Sequence, residues 1–374
     1  MEAESFDLMG LPGSLLLNGQ IINRLNLEDA AVIISDQGNA LAVEVIEFLR
    51  LWFDKSETIS MLTSGSTGQP KSITVTKSAM LQSAAMTVRF FQLKAGMNAL
   101  LCLSPNYVAG KMMIVRAMVA GMNLITTDVS AHPVKNLEKD IDFAAMVPLQ
   151  LTKSLEQSIE KLELIKKLII GGSSISYQLE TALQQLKVHV FHTYGMTETL
   201  SHIALRAVNG PDVSQSFLPL SGVKIACDER DCLTVEVPFL FDQKIVTNDL
   251  ATIAPDGSFQ ITGRIDDVII SAGIKIHPAV IERKLASVVH HDFVISSVPD
   301  QTAGEIVLLV LAKKLSAVEL FKLWQAMEEV LPASEMPRRN VHVDNIPVLS
   351  GGKTDRNGLK SLLAARSLIA EEQG

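Results

Sequence analysis

Residues 63–71 read Thr-Ser-Gly-Ser-Thr-Gly-Gln-Pro-Lys, and few tasks besides holding a polyphosphate call for that composition. Ser64, Ser66 and Thr67 supply hydroxyl donors, while Gly65 and Gly68 let backbone N–H groups turn into one concavity where phosphate oxygens are natural acceptors. Lys71 adds a positive charge. The alternative is an ordinary Ser/Gly turn, although six hydroxyl or glycine residues followed by Pro-Lys exceed what a turn needs. A Walker A loop needs Gly-Lys-Ser/Thr leading into a helix, and here Pro70 precedes the lysine. The β-branched residues at 58–62 and 73–75 predict two short strands, with the glycines on the turn between them.

Tyr194-Gly195-Met196-Thr197-Glu198 follows an apolar strand, so its turn brings an aromatic face, a hydroxyl and a carboxylate to a sheet edge, where α/β proteins bind ligands. An ordinary Tyr-Gly turn with an exposed acid is the bland alternative. Thr247-Asn248-Asp249, Gly263-Arg264-Ile265-Asp266-Asp267 and Gly351-Gly352-Lys353 follow in that order. Together with residues 63–71 these motifs resemble the ordered core motifs of the adenylate-forming superfamily, which includes acyl-CoA synthetases, luciferases and peptide-synthetase adenylation domains.

The resemblance implies roles residue by residue. Thr63, Ser64, Gly65, Ser66, Thr67, Gly68 and Lys71 would hold the ATP phosphates. Tyr194 and Gly195 would lie against adenine, which rests on the backbone of Gly171, Gly172 and Ser173. Thr197 would approach the α-phosphate, and Glu198 with Thr67 would hold Mg²⁺, a hard cation suited to oxygen ligands. Asp249 would accept hydrogen bonds from the ribose diol, which suits a side chain with two acceptor oxygens. The family has glycine before that aspartate; Asn248, which tolerates positive φ, is expected to keep the turn. Arg264 would contact ribose or phosphate, and Asp266 would be the hinge of a mobile C-terminal domain. Ser271, Ala272 and Gly273 would line a pantetheine channel. Lys353 would bridge carboxylate and α-phosphate as charge builds there. The implied reaction has two steps: a carboxylate attacks ATP to give an acyl adenylate, and a thiol, that of coenzyme A, then takes the acyl group.

These residues need a scaffold of layered α/β structure. Short apolar runs at 31–34, 99–103, 124–127, 143–147, 167–170 and 188–192 predict strands, with helices over 77–91, 110–120 and 148–162 between them. Between about 203 and 261 strands joined by turns predict a β-subdomain. After Arg264 a β-β-α-β-β-α pattern restarts and ends in a helix near 356–372. The expected division is therefore an AMP-binding adenylating domain over 1–263 and a small α+β domain over 264–374, since 374 residues exceed what one core usually supports.

Composition narrows the partners. A net charge of −8 without charged blocks argues against nucleic-acid or anionic-membrane binding. The acidic start Met1-Glu2-Ala3-Glu4 is no signal peptide, and the apolar region 99–126 is interrupted by Pro105, Lys111 and Arg116, so a cytoplasmic chain without a membrane span is expected. Cys102, Cys227 and Cys232 read as reduced core residues, and the eight histidines show no metal-ligand spacing.

The chain is short for the superfamily, and the surroundings of Tyr194 together with Asn106-Tyr107-Val108-Ala109-Gly110-Lys111 look most like the compact o-succinylbenzoate–CoA ligases of menaquinone synthesis. Tyr107 takes a place where many of them have histidine. Such an acid has two carboxylates and only one is activated, so the pocket needs a cation for the other. Lys111 is the first candidate and Arg116 the second; a solvated lysine at a helix start is the alternative. Another aryl- or acyl-CoA ligase, or an adenylation enzyme that loads a carrier protein, would share the same motifs.

Overall fold

The computed structural model describes residues 10–62, 72–241, 243–349 and 354–372. Its centre is a nine-stranded sheet. In spatial order its strands are Leu218–Pro219, His202–Ala207, His189–Gly195, Ile165–Ile170, Ile141–Met146, Asn98–Leu101, Asn123–Thr126, Ser14–Leu17 and Gln20–Asn23. From His189–Gly195 to Ser14–Leu17 the neighbours are parallel, and antiparallel strands close both edges. The parallel strands are near-continuous apolar runs because helices cover both faces, and each face packs its own cluster of buried side chains. The helix Val108–Ala120 lies wholly within the first cluster and is buried almost all round.

Two expected elements differ. Residues 31–34 belong to the helix Leu27–Asp36: Leu27, Ala30 and Ile34 are buried on one helical face while Val32 and Ile33 are exposed. A β-branched run this short fits either period, and packing against the helix Ala40–Phe53, which the sequence reading did not mark, decides it. The expected helix over 148–162 breaks at Ser158 into Pro148–Gln157 and Ile159–Leu162. The helix Lys77–Phe91 has its expected bounds, capped by the Thr76 hydroxyl accepting from the Ala79 N–H at 3.0 Å.

A four-stranded antiparallel sheet follows, formed by Lys224–Cys227, Cys232–Glu236, Ile245–Ile253 and Phe259–Arg264 around Phe259, Leu233 and Val235. The remaining chain builds a five-stranded sheet from Ile269–Ser271, Ile274–Ile276, Phe293–Asp300, Gly304–Leu311 and Arg339–His342. The helix Ala317–Val330 and the strand Arg339–His342 extend the expected β-β-α-β-β-α pattern before the final helix Arg356–Glu372. Separate apolar clusters form about this sheet. The helix Pro278–Leu285 meets the preceding sheet where Arg283 Nη2 donates to the Ile261 carbonyl at 2.9 Å. Cys102 and Cys232 are buried as expected, but Cys227 is exposed because its edge strand turns that side chain outward; all three are free. Among the described residues no helix is long and apolar enough to cross a membrane.

Candidate active site

The strands Thr58–Leu62 and Ser72–Thr76 form the expected hairpin, with Leu62 opposite Ser72 at the end that residues 63–71 connect. Thr63, Ser64, Gly65, Ser66, Thr67, Gly68 and Lys71 lie outside the described residues.

The C-terminal ends of two neighbouring parallel strands carry the next groups. Ile165–Ile170 runs into Gly171, Gly172 and Ser173, and His189–Gly195 runs beside it into Tyr194. At Gly171 a Cβ would sit 2.3 Å from Thr193 Oγ1, a side-chain hydroxyl that would have to turn away. Gly195 is more tightly confined, since a Cβ would lie 2.2 Å from the Ser201 carbonyl oxygen and 2.6 Å from the His202 Cα, both backbone atoms. The backbone then enters a 3₁₀ turn, Thr197–Thr199, anchored by the Met196 N–H donating to Thr199 Oγ1 at 2.9 Å. Thr197 is half-buried; Glu198 is exposed and makes no ion pair among the described residues. No cluster of three or more His, Cys, Asp or Glu able to hold a metal occurs among the described residues. A lone accessible carboxylate fits a Mg²⁺ ion that takes its other oxygens from phosphate and water.

Side-chain hydrogen bonds join four of the expected residues. The Tyr194 hydroxyl donates to Asp249 Oδ2 at 2.7 Å, and Arg264 Nη1 donates to Asp249 Oδ1 at 3.0 Å. Arg264 Nη2 continues to Asp266 Oδ2 at 3.1 Å. Asp249 and Arg264 are opposite each other in the antiparallel ladder, which is why they meet. Burial and the Asp249 charge both hold the Tyr194 phenol well above its usual pKa, so it remains a donor. Asn248 corrects one expectation. It has no positive φ and lies inside the strand Ile245–Ile253, where its amide donates to Asp266 Oδ2 at 3.2 Å. The strand continues without a left-handed residue at this point, and the Thr247 hydroxyl accepts from the Asp249 N–H at 3.0 Å.

His192, which the sequence reading left without a role, stands two residues before Tyr194 and on the same strand face. Both rings pack against Phe217, at 5.3 and 5.9 Å. Its Nε2 lies 3.3 Å from the Ser173 carbonyl, and its buried Nδ1 has no hydrogen-bond partner among the described residues. Burial, reinforced by the Arg206 charge, lowers its pKa to about 4. The period of two was the signal that placed it beside the tyrosine.

The candidate substrate cations differ in their surroundings. Tyr107 is 57% exposed at the N-terminus of the helix Val108–Ala120, open to a ligand. Lys111, expected to face substrate, donates its ammonium to the Pro105 carbonyl within its own turn, and burial lowers its pKa while Glu44 opposes that shift. Arg116 is 1% exposed and bonds only to hydroxyls among the described residues, Thr87 Oγ1 at 3.2 Å and Ser201 Oγ at 2.6 Å. Its pKa falls through burial, and His202, 3.0 Å from Thr87 Oγ1, is held neutral beside it. A buried guanidinium without a carboxylate is costly unless an anion joins it.

Gly351, Gly352 and Lys353 lie outside the described residues, but Val348 and Thr354 pair as an isolated bridge on either side. Arg356, three residues past Lys353, binds Glu282 Oε2 at 2.7 Å and the Ile295 carbonyl at 3.0 Å, with Asp267 Oδ2 3.5 Å away. The chain next to Asp266 and the chain next to Lys353 are thus tied through one side chain. Ser271, Ala272 and Gly273 occupy the hairpin between Ile269–Ser271 and Ile274–Ile276.

An AMP-binding enzyme family model matches residues 52–234. The structure of an acyl-CoA synthetase (AMP-forming)/AMP-acid ligase II-like protein from Dyadobacter fermentans is 33% identical, with a TM-score of 0.60, covering 87% of this chain and 95% of that one. The chain belongs to the AMP-binding enzyme family. It is 25% identical to the 2-succinylbenzoate–CoA ligase of Lactococcus lactis subsp. lactis over 95% of this chain and 86% of that protein. The o-succinylbenzoate CoA synthetase of Bacillus subtilis, solved with the acyl-adenylate intermediate OSB-AMP, shares the fold at 24% identity and a TM-score of 0.68, covering 80% of this chain and 68% of that one. The same enzyme has been solved with ATP and magnesium.

Proposed function

We propose that this chain is an ATP-dependent carboxylate–CoA ligase that converts o-succinylbenzoate to its CoA thioester through an acyl adenylate, in menaquinone biosynthesis and in the cytoplasm, where ATP and CoA are at hand. The observation that carries the reading is the Tyr194–Asp249–Arg264–Asp266 chain beside Gly171 and Gly172, which supports a nucleoside seat at the end of a parallel sheet.

In this reading adenine lies between the Gly171–Gly172 backbone and Tyr194, and Asp249 turns its two oxygens to the ribose diol. Residues 63–68 and Lys71 hold the phosphates. Glu198 and Thr67 would hold Mg²⁺, which when bound offsets phosphate charge. The substrate carboxylate attacks the α-phosphorus, pyrophosphate leaves, and Thr197 and Lys353 stabilise the charge that develops on the phosphoryl oxygens. The thiol of CoA then attacks the acyl carbon and AMP departs. We assign residues 1–263 to the adenylating domain and 264–374 to a domain that turns about Asp266, withdrawing Lys353 between the two steps. For the distal carboxylate of the substrate we favour Arg116 over Lys111, because its guanidinium is buried with hydroxyl partners alone while the lysine ammonium already has a carbonyl.

Pyrophosphate exchange with a panel of acids tests the reading. Exchange dependent on o-succinylbenzoate is the expected result. Exchange supported equally by benzoate would leave a general aryl-CoA ligase, and exchange without any acyl-CoA product would point to carrier-protein loading.

A further inference from the structure

The turn that carries Thr197 and Glu198 ends on a residue its backbone disfavours. Five non-glycine residues among those described have positive φ; four are exposed, and the fifth, Leu200 at 63°, is wholly buried. A branched side chain is unfavourable in that region and persists where its surroundings over-determine it. Leu200 is held on its side-chain end by the apolar cluster that also contains Met112 and Val115. On its backbone end the Leu200 N–H donates to the Thr197 carbonyl at 2.9 Å.

The preceding residue supplies a second constraint. The buried Thr199 hydroxyl accepts from the Met196 N–H at 2.9 Å and lies 2.7 Å from the Ser201 carbonyl and 2.9 Å from that of Met196. It has one proton to give, and the Met196 carbonyl already accepts from the Thr199 N–H at 3.1 Å, so the Ser201 carbonyl is its acceptor. One side chain therefore clasps the chain entering the turn to the chain leaving it. Gly195 lets the two arms come this close, because any Cβ there would meet the Ser201 and His202 backbone. Among the described residues no hydrogen bond holds the Thr197 hydroxyl or the Glu198 carboxylate. Their placement rests on the backbone of the clasped turn.

We propose that Thr199 is a positioning residue for adenylate formation: its hydroxyl, with the left-handed Leu200, fixes the turn that presents Thr197 to the α-phosphate and Glu198 to the metal ion. The inference rests on the ligase reading and adds to it a residue that touches neither substrate nor ion. Thr199→Val keeps the shape of the side chain and removes both bonds of the clasp. Thr199→Ser keeps the hydroxyl.

Two measurements on the wild type, T199V, T199S and E198Q test it: pyrophosphate exchange with o-succinylbenzoate at varied ATP, and paramagnetic-resonance titration of the ATP complex with Mn²⁺ in place of Mg²⁺. T199V should lower kcat for exchange by about tenfold to a hundredfold, the scale of a reacting group displaced by about 1 Å, and leave KM for ATP nearly unchanged. It should also weaken Mn²⁺ binding toward the level of E198Q, and T199S should restore most of both. A T199V variant with wild-type kcat and Mn²⁺ affinity overturns the clasp. A variant whose kcat, ATP affinity and melting temperature fall together, without recovery in T199S, has a fold defect and overturns it too. If the wild type catalyses no acid-dependent exchange, the ligase reading fails, and the Mn²⁺ titration still decides the clasp. If E198Q leaves Mn²⁺ affinity unchanged, the metal role of Glu198 fails, and the kcat of T199V decides it. Failure of both the exchange and the E198Q control overturns the clasp as well.

Discussion

Tyr194 and Asp249 stand 55 residues apart and meet at 2.7 Å, phenol to carboxylate, so the end of the parallel sheet and the four-stranded sheet share one hydrogen bond. The other Asp249 oxygen is held by Arg264 at 3.0 Å. The carboxylate is thereby oriented before any nucleotide arrives.

If Asp249 receives the ribose diol, Asp249→Ala should raise KM for ATP by roughly tenfold to a hundredfold, the range of hydrogen bonds to a charged group. Pyrophosphate exchange at varied ATP reads this directly. An unchanged KM would remove Asp249 from the nucleotide site and leave it a link between sheets.

Lys353→Ala should lower adenylate formation by about 10²–10³, as loss of one positioned electrostatic group does. Thioester formation from preformed acyl adenylate and CoA should remain nearly intact. Single-turnover assays of the two steps separate these outcomes, and equal losses in both would make Lys353 structural.

The two substrate cations predict opposite results. Arg116→Met should narrow the preference for o-succinylbenzoate over benzoate by about 2 kcal/mol, in line with a charged hydrogen bond. Lys111→Met should change it little, because that ammonium is bound to the Pro105 carbonyl. A preference that follows Lys111 would reverse the assignment and return to the first choice made from sequence.

Acid sensitivity should trace in part to His192. Its folded pKa of about 4 lies below the ordinary imidazole value, so between about pH 6.5 and 4 the unfolded chain binds the extra proton. Stability from this residue is therefore complete at neutral pH and falls as pH drops through that window, by about 2 kcal/mol at pH 5. His192→Asn cannot titrate, and its melting temperature should fall less between pH 7 and 5 than that of the wild type. Parallel curves would show that another group carries the acid response.

Much of this arrangement was legible because local patterns and local motifs coincide. The hairpin Thr58–Leu62/Ser72–Thr76, the helix Lys77–Phe91 and the parallel strands follow from apolar runs bounded by turn residues. One misread element, 31–34, is a short β-branched run whose period cannot be told from four residues, and the burial of Ala30 and Ile34 against the next helix settles it. Asn248 was read by analogy with a glycine turn, whereas its amide is used across the hairpin toward Asp266. The Arg116–Ser201 contact spans 85 residues, and the Arg356–Glu282 contact 74. Neither has a local pattern, so both become visible only once the chain is folded.

The central claim is best tested by incubating the purified protein with o-succinylbenzoate, ATP, Mg²⁺ and CoA and analysing products by mass spectrometry. The account predicts the CoA thioester together with AMP and pyrophosphate, each dependent on the acid, and far less thioester from benzoate. Formation of ADP and phosphate in place of AMP and pyrophosphate, or no thioester from any carboxylate offered, would contradict it.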